Sequence, residues 1–523
     1  MTLRCDVVIV GGGLAGLTLS LQLREALPDL HVVVLERRPE EPPLAAHKVG
    51  ESTVELGAHY LSHTLGLRPL LEETQLRKFG LRFFFGNPAV DLAEADELGP
   101  SDFFPNRTYQ LDRGRLERDL FSRAVEMGVD ARRGCAVTGF SGLEPGTSKQ
   151  VRYRDEDGEK RAECRWCVDA SGRAALLKRL RSMERPSRHS ICAAWFRLDE
   201  AIDIDEWSAD ADWKSRCNGV GRILSTNHLM GPGYWAWVIP LPEGRTSVGI
   251  VSDPEIVPLE RVNSFDRFRN WAHTHQPLLD RALDDRRESV MDFRYLPDLA
   301  RDCKQIWSSD GWALTGEAGV FADPFYSPGS DYIAIGNTFI TDMIAGNGDP
   351  QGQRSRAKLF HALYRSFFAN TIDVYRQQYP GFGDTRLMAL KATWDIANYW
   401  AILAWMFFRG MLTDTAFLKS GEAELRRAFA LNTRMQAIFR ERAGKRLTVS
   451  PMGRFIDLKA IPILCEFNEI LRAPGKPPDI ELKANYKRLE SLARVIESLL
   501  GEEGRPASGR QCEFLGDLAC RLA

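Results

Sequence analysis

The sequence predicts an α/β chain in three parts: an alternating strand–helix domain at residues 1–189 and 299–345, a sheet-based domain at 190–298, and a helical extension at 346–523. Three observations predict it. Apolar strand-like and helix-like runs alternate through about residue 90. Alternating apolar runs such as ICAAWFRL, YWAWVIPL and TSVGIVS fill the segment from Ser190 to about Asp298. From about Phe339 the pattern turns helical and rich in Arg, Leu and Ala.

The first part rests on VVIVGGGLAGLTLSLQLREALPDLHVVVLERR, a short apolar strand, a glycine turn, a helical run and a second strand ending in Glu36. Gly11 allows a tight turn, Gly13 lets the backbone approach a pyrophosphate, and Gly16 lets the helix sit close to the sheet. Leu14 and Ala15 open the helix, whose free N–H groups face the phosphates. Glu36, twenty residues beyond Gly16, then holds a ribose. This context predicts a dinucleotide site. The run TYQLDRGRLERDLFSRAVEMG, helical from Arg115, and the strand-like CVDASG extend the same domain.

Composition narrows the function classes. With 69 basic and 71 acidic residues the formal charge is −2, which argues against a nucleic-acid surface and favours small neutral or aromatic partners. Met1 leads straight into a strand without a basic region, apolar signal core or cleavage site, so a cytoplasmic location is expected. Ten scattered cysteines suit reduced thiols. Cys164 and Cys167 have redox-motif spacing but lie on an apparent strand, without the helix of a thioredoxin site or a second pair for zinc. His59 and His63 stand one turn apart but lack the glutamate of a metalloprotease helix, so no metal is expected. The apolar run AILAWMFFRGML is too short for a bilayer, which needs about 20 apolar residues, and reads as a buried helix. GEEGRPASGR reads as a loop.

Two further segments decide which dinucleotide is meant. Asp169-Ala170-Ser171-Gly172 and WALTGEAGVFADPFYSPGSDYIAIGNTF resemble the later motifs of the FAD-dependent hydroxylase superfamily. The resemblance implies FAD, held by the Rossmann-like domain through Gly11, Gly13, Leu14, Ala15, Gly16, Glu36, Arg37, Ser52, Thr53, Arg113, Asp169, Gly316, Glu317, Asp323, Gly329 and Ser330. Glu317 stands where the superfamily usually has Asp; the extra methylene keeps the charge and still reaches a hydroxyl.

Within that superfamily the chain resembles the flavin-dependent halogenases. The residues that carry this are Lys48-Val49-Gly50-Glu51-Ser52-Thr53, Lys78 in RKFGLRFFF, Trp235-Ala236-Trp237-Val238-Ile239-Pro240, and Asp323-Pro324-Phe325-Tyr326-Ser327-Pro328-Gly329. The resemblance implies that reduced FAD and oxygen turn halide into hypohalous acid, the cofactor carrying the hard step. Lys78 is then the catalytic residue that holds the oxidised halogen, as hydrogen-bonded hypohalous acid or, with a pKa lowered by desolvation, as a haloamine. Taken alone, a lysine at a strand start is a solvated lysine. Glu51 is the second catalytic candidate, against a plain reading as a helix N-terminal acid. Ser327, Pro328 and Gly329 form the halide loop, while Trp235, Trp237 and Tyr326 line the passage to substrate.

Two departures set the expectations further. Tyr326 stands where tryptophan halogenases carry a glutamate, so the chain is closer to the halogenases of phenols and pyrroles, whose acceptors activate themselves. Pro328 has no N–H, and the Asp331 carboxylate close to the loop repels halide unless it pairs or points away. These two keep open a flavin monooxygenase without halide, with a flavin dehydrogenase or reductase and a binding module behind it. No second nicotinamide-binding unit is evident, so a separate flavin reductase is expected to supply reduced FAD. The aromatic acceptor is free or carried on a protein. Trp394, Trp400 and Trp405 form either an aromatic wall at the substrate entrance or simple helix packing.

Overall fold

The computed structural model describes residues 2–45, 48–346, 350–444, 452–473 and 475–501. The GEEGRPASGR loop lies outside them beyond its first glycine. The chain forms two compact units, residues 1–75, 111–188 and 300–368 in one and 76–110, 189–299 and 369–523 in the other.

The first unit is built on a six-stranded sheet. Its order is Trp307–Ser308, Trp312–Leu314, Trp166–Asp169, Val7–Val10, Val32–Leu35 and Asp130–Arg132. Every pairing is parallel except the first. The strands Val7–Val10 and Val32–Leu35 are buried at every position, as continuous Val/Ile/Leu runs require when both faces are covered. The helix Leu14–Ala26 packs against the helices Arg113–Glu126 and Gly329–Ala345. A four-stranded sheet includes Lys149–Asp155, whose burial alternates residue by residue, as expected of a sheet with one wet face.

The second unit is built on an eight-stranded sheet. Its order is Val290–Leu296, Cys192–Leu198, Arg245–Ser252, Tyr234–Leu241, Thr226–Gly231, Leu81–Phe85, Asp96–Gly99 and Phe455–Asp457. On one face Phe196, Ala236, Val238 and Ile250 pack into a core with Phe268, Trp271 and Leu279 from the helices Phe265–His275 and Pro277–Ala282. The remaining helices of this unit include Thr385–Asn398, Glu422–Ala443, Pro462–Ile470 and Pro478–Gly501. The run AILAWMFFRGML continues the first of these through a wider π-type turn at Tyr399–Ala404, and is largely buried. Among the described residues no helix is long and apolar enough to cross a membrane.

This division differs from the sequence expectation in two places. Residues 76–110 belong with the second sheet, because Leu81–Phe85 pairs in parallel with Thr226–Gly231 and Asp96–Gly99 with Phe455–Asp457. The helical residues from 369 onward join that unit too, and the boundary falls within the helix Pro350–Tyr375. A strand's own apolar pattern does not say which sheet supplies its partner, so neither feature was readable locally.

Candidate functional site

In the first unit the glycine loop has the shape its spacing predicts. Gly11 sits at φ +113°, and a Cβ there would lie 2.5 Å from the Ala170 carbonyl oxygen. A Cβ on Gly16 would lie 2.0 Å from the Gly11 carbonyl oxygen, so the helix can approach the strand only as glycine. At Gly13 the nearest atom to such a Cβ is Lys48 Nζ at 3.6 Å, leaving the loop open where a pyrophosphate approaches. Gly13 gives the helix Leu14–Ala26 no side-chain cap and no acid stands in its first turn, so beyond Leu14 N, which meets the Glu117 carboxylate, the N–H groups of that turn have no side-chain acceptor from the helix itself. Its N-terminus therefore suits an anion, and the cradle fits a dinucleotide. Glu36 ends its strand over this loop, accepting from Gly12 N at 2.7 Å and Arg38 N at 3.0 Å. Ala15 lies in the first helical turn and Arg37 is exposed beside Glu36.

A buried carboxylate that the sequence reading missed ties the next segment to this loop. Glu117 accepts from Leu14 N at 3.3 Å and from Arg113 Nη2 at 2.7 Å, and pairs with Lys48. Burial pushes its pKa up, but Arg113 and Lys48 more than offset that and hold it below the usual carboxylate range. Arg113 also donates to the Val49 carbonyl at 2.8 Å. The Lys48–Thr53 segment is thus pinned to the glycine helix, and Glu51, Ser52 and Thr53 are buried. Leu111 N donates to the Glu51 carbonyl at 2.6 Å. The only sequence signal for Glu117 was its spacing, one helical turn after Arg113.

The late motif returns to the same loop. Gly316, at φ +60°, lies where a Cβ would meet Ala15 Cβ at 3.0 Å. Glu317 pairs with Arg173 at 3.6 Å. Asp323 is buried and accepts from Phe325 N at 2.9 Å, which starts a turn in which Ser327 takes a left-handed conformation, φ +57°. Pro328 precedes the helix Gly329–Ala345, whose first-turn N–H groups have no acceptor within the helix. Tyr326 is half-buried against Phe325. Ser330 Oγ is buried with no hydrogen-bond partner among the described residues.

Two expectations are corrected here. Asp169 is fully buried with its carboxylate turned onto backbone, accepting from Ser171 N at 2.9 Å and Leu177 N at 2.7 Å. It shapes the turn rather than presenting an oxygen to the cofactor, and burial raises its pKa. Asp331, expected to threaten the anion loop, is 2% exposed and accepts from Gly57 N at 2.8 Å, capping the helix Glu55–His59. Its charge meets another helix's N-terminus instead of the loop.

In the second unit Lys78 ends the strand Leu76–Lys78, paired antiparallel with Thr108–Gln110. It is 3% exposed, not a solvated lysine. This strand pair hangs on the eight-stranded sheet through Gln110 Nε2, which donates to Thr226 Oγ1 at 2.9 Å, and through Phe79 N, which donates to the Leu224 carbonyl at 2.9 Å. Behind it Arg82, Glu97 and Arg222 form a buried ion cluster, Arg222 Nε lying 2.8 Å from Glu97 Oε1.

The face of this sheet opposite the apolar core carries Trp235 and Trp237, with ring centroids 5.5 Å apart. Trp237 lies opposite Gly249 on one neighbouring strand, where any Cβ would come within 2.4 Å of its ring, and opposite His228 on the other. His228 stacks on Phe83 at 4.7 Å. Its Nδ1 donates to the Arg82 carbonyl at 3.0 Å, a partner that can only accept and so fixes the tautomer. Trp394 and Trp405 are fully buried, Trp394 donating to Asn432, so for these two the packing account holds. Trp400 meets Phe104 edge-on.

Comparison with known proteins agrees with the dinucleotide cradle. Residues 4–228 match the FAD binding domain family. The chain is 26% identical to the flavin-dependent halogenase chlA of Dictyostelium discoideum, over 76% of this chain and 70% of that one. It is 27% identical to a 1H-pyrrole-2-carbonyl-[peptidyl-carrier protein] chlorinase of Pseudomonas fluorescens, over 62% and 72%. In fold it resembles the halogenase PltM, solved with phloroglucinol and FAD, with a TM-score of 0.67 over 99% of this chain and 94% of that one at 16% identity. The glycine cradle with the late motif folded back onto it is that of an FAD-dependent oxidoreductase, and the chain is similar to the flavin-dependent halogenases.

Proposed function

We propose that this protein is a cytoplasmic enzyme that halogenates an electron-rich phenolic or pyrrolic ring, using reduced FAD from a separate reductase, oxygen and halide. The balanced change consumes the ring C–H, halide, a proton, oxygen and the two electrons and two protons of fully reduced FAD, and yields the aryl halide, oxidised FAD and two waters. The observation that carries it is Lys78: a lysine almost wholly out of water, on a strand tied to the sheet that bears Trp235 and Trp237. Lysines are almost never fully buried unless they are paired.

When bound, reduced FAD supplies the electrons with which oxygen oxidises halide to hypohalous acid. The protein's residues do the rest. The backbone at Gly329 and Ser330 offers halide the N–H groups of a helix start, Ser327 N being spent on the Pro324 carbonyl at 2.8 Å, and Asp331 caps another helix and leaves that charge uncontested. Lys78 Nζ holds the oxidised halogen, as hydrogen-bonded hypohalous acid or as a haloamine, and releases it to the ring carbon. Glu51 stands buried in the segment pinned to the glycine helix, beside the proposed flavin loop. Trp235 and Trp237 line the passage to the acceptor.

The test is product mass and bromine or chlorine isotope pattern, with regenerated reduced FAD, halide and a panel of phenols and pyrroles, free and as carrier thioesters. Halide-dependent product, lost in Lys78→Met with FAD still bound, supports the reading. Hydroxylated product independent of halide supports a monooxygenase instead, and reduction or desaturation without oxygen supports a dehydrogenase.

A further inference from the structure

Trp237 and Trp235 are held in different ways. Trp237 Nε1 donates to Ser247 Oγ at 3.0 Å, a residue of the neighbouring strand in the same sheet. Trp235 Nε1 donates at 3.0 Å to the Tyr379 hydroxyl, which lies outside the sheet in a turn following the helix Pro350–Tyr375. The orientation of one signature indole is therefore set by its own sheet, and that of the other by the helical part of the chain.

The turn that carries Tyr379 is itself clamped. Its carbonyl accepts from Gly233 N at 2.8 Å, at the hairpin that leads into the tryptophan strand. Gly383 approaches the same hairpin so closely that a Cβ would lie 2.6 Å from Pro232. On the other side Gln378 donates to the Gln436 carbonyl at 3.0 Å, and Gly381 packs where a Cβ would meet Ala443 at 2.8 Å, both residues of the helix Glu422–Ala443. Phe382 stacks on the Tyr379 ring at 4.5 Å and His189 lies 5.7 Å from it. The ring of Tyr379 is almost completely buried. A side chain so confined presents its hydroxyl oxygen in one place.

We infer that Tyr379 is a positioning residue that locks the Trp235 indole, and that through it the helical part of the chain governs how completely the oxidised halogen reaches the acceptor. This rests on the halogenase reading above. With the lock in place, electrons taken from reduced FAD end in aryl halide and water. With the indole released, part of the oxidised halogen escapes as free hypohalous acid, so the electrons of reduced FAD end in hypohalous acid and water without aryl halide.

The first experiment measures halogenated product formed per oxygen consumed, with free hypohalous acid trapped alongside by a small halogen acceptor such as monochlorodimedone, for the wild type, Tyr379→Phe, Trp235→Phe and the double variant. Tyr379→Phe keeps the ring and removes only the acceptor. The ratio is expected to fall about tenfold, the size of effect that follows from leaving a buried donor without its partner, with bound FAD unchanged. The double variant is expected to match Trp235→Phe. An unchanged ratio in Tyr379→Phe, or losses that multiply in the double variant, overturns the inference. A purely structural role would lower FAD content and the melting temperature without shifting the ratio.

The second experiment measures hydrogen exchange of the Trp235 indole N–H in the wild-type holoenzyme, assigned by its absence in Trp235→Phe. Slow exchange that accelerates in Tyr379→Phe supports the lock, and exchange in the wild type as fast as that of an exposed indole overturns it, even should a variant fail to fold. A wild type that makes no halogenated product refutes the halogenase reading instead, and the exchange rate still decides whether the lock exists.

Discussion

Asp331 separates two electrostatic pictures of the proposed halide loop. Were its carboxylate about 5 Å from bound halide in surroundings of effective dielectric about 20, the repulsion would be about 3 kcal/mol, and Asp331→Asn would tighten halide binding by a few hundredfold. The structure places the charge elsewhere. Gly329 and Asp331 are two residues apart on one helix, so they face opposite sides of it. Asp331 Oδ1 is spent on Gly57 N at 2.8 Å. The expected change in halide KM for Asp331→Asn is therefore less than about fivefold, since separation to about 10 Å and partial screening leave under 1 kcal/mol. Asp331→Ala is expected to lose the cap and about 1–2 kcal/mol of stability, lowering the melting temperature by a few degrees. Steady-state product formation against bromide concentration and a thermal melt suffice as assays. A fall of more than a hundredfold in halide KM for Asp331→Asn would refute the assignment.

Further perturbations test other parts of the structure. Gly16→Ala forces a Cβ against the Gly11 carbonyl, so the purified protein is expected to lose its FAD; full 450 nm absorbance after desalting would contradict this. Glu97→Gln takes the countercharge from Arg82 and leaves Arg222 only Asp205, 3.4 Å away, both arginines being essentially unexposed. It is expected to cost about 3–5 kcal/mol, read from urea unfolding, and an unchanged midpoint would show the cluster to be unimportant. The His59 pKa is held down to about 4, first by burial and then by His63 and Arg68. Above the ordinary histidine pKa both folded and unfolded states are neutral, but as pH falls from about 6.5 towards 4 only the unfolded chain takes up that proton, so stability falls. Comparing urea midpoints of the wild type and His59→Phe at pH 7.5 and 5 isolates this contribution, and an equal acid loss in both proteins would contradict it.

Sequence alone determined the glycine cradle, the order of the FAD motifs and the resemblance to the flavin-dependent halogenases. These are legible because each depends on local geometry: a positive φ at Gly11 or a missing Cβ at Gly16 is a property of a few neighbouring residues. The same locality explains why the aromatic strand was recognisable, since alternation is a property of the strand itself. Tertiary structure decided what the side chains are for. The burial of Lys78 depends on where its strand pair hangs, and the pairing of Leu81–Phe85 with Thr226–Gly231 moved residues 76–110 into the second unit. Asp331 found its partner 274 residues away at Gly57, and Trp235 found its own 144 residues away at Tyr379. Contacts across such separations leave no periodicity or spacing in the chain, because packing brings the two ends together and local conformational preference does not.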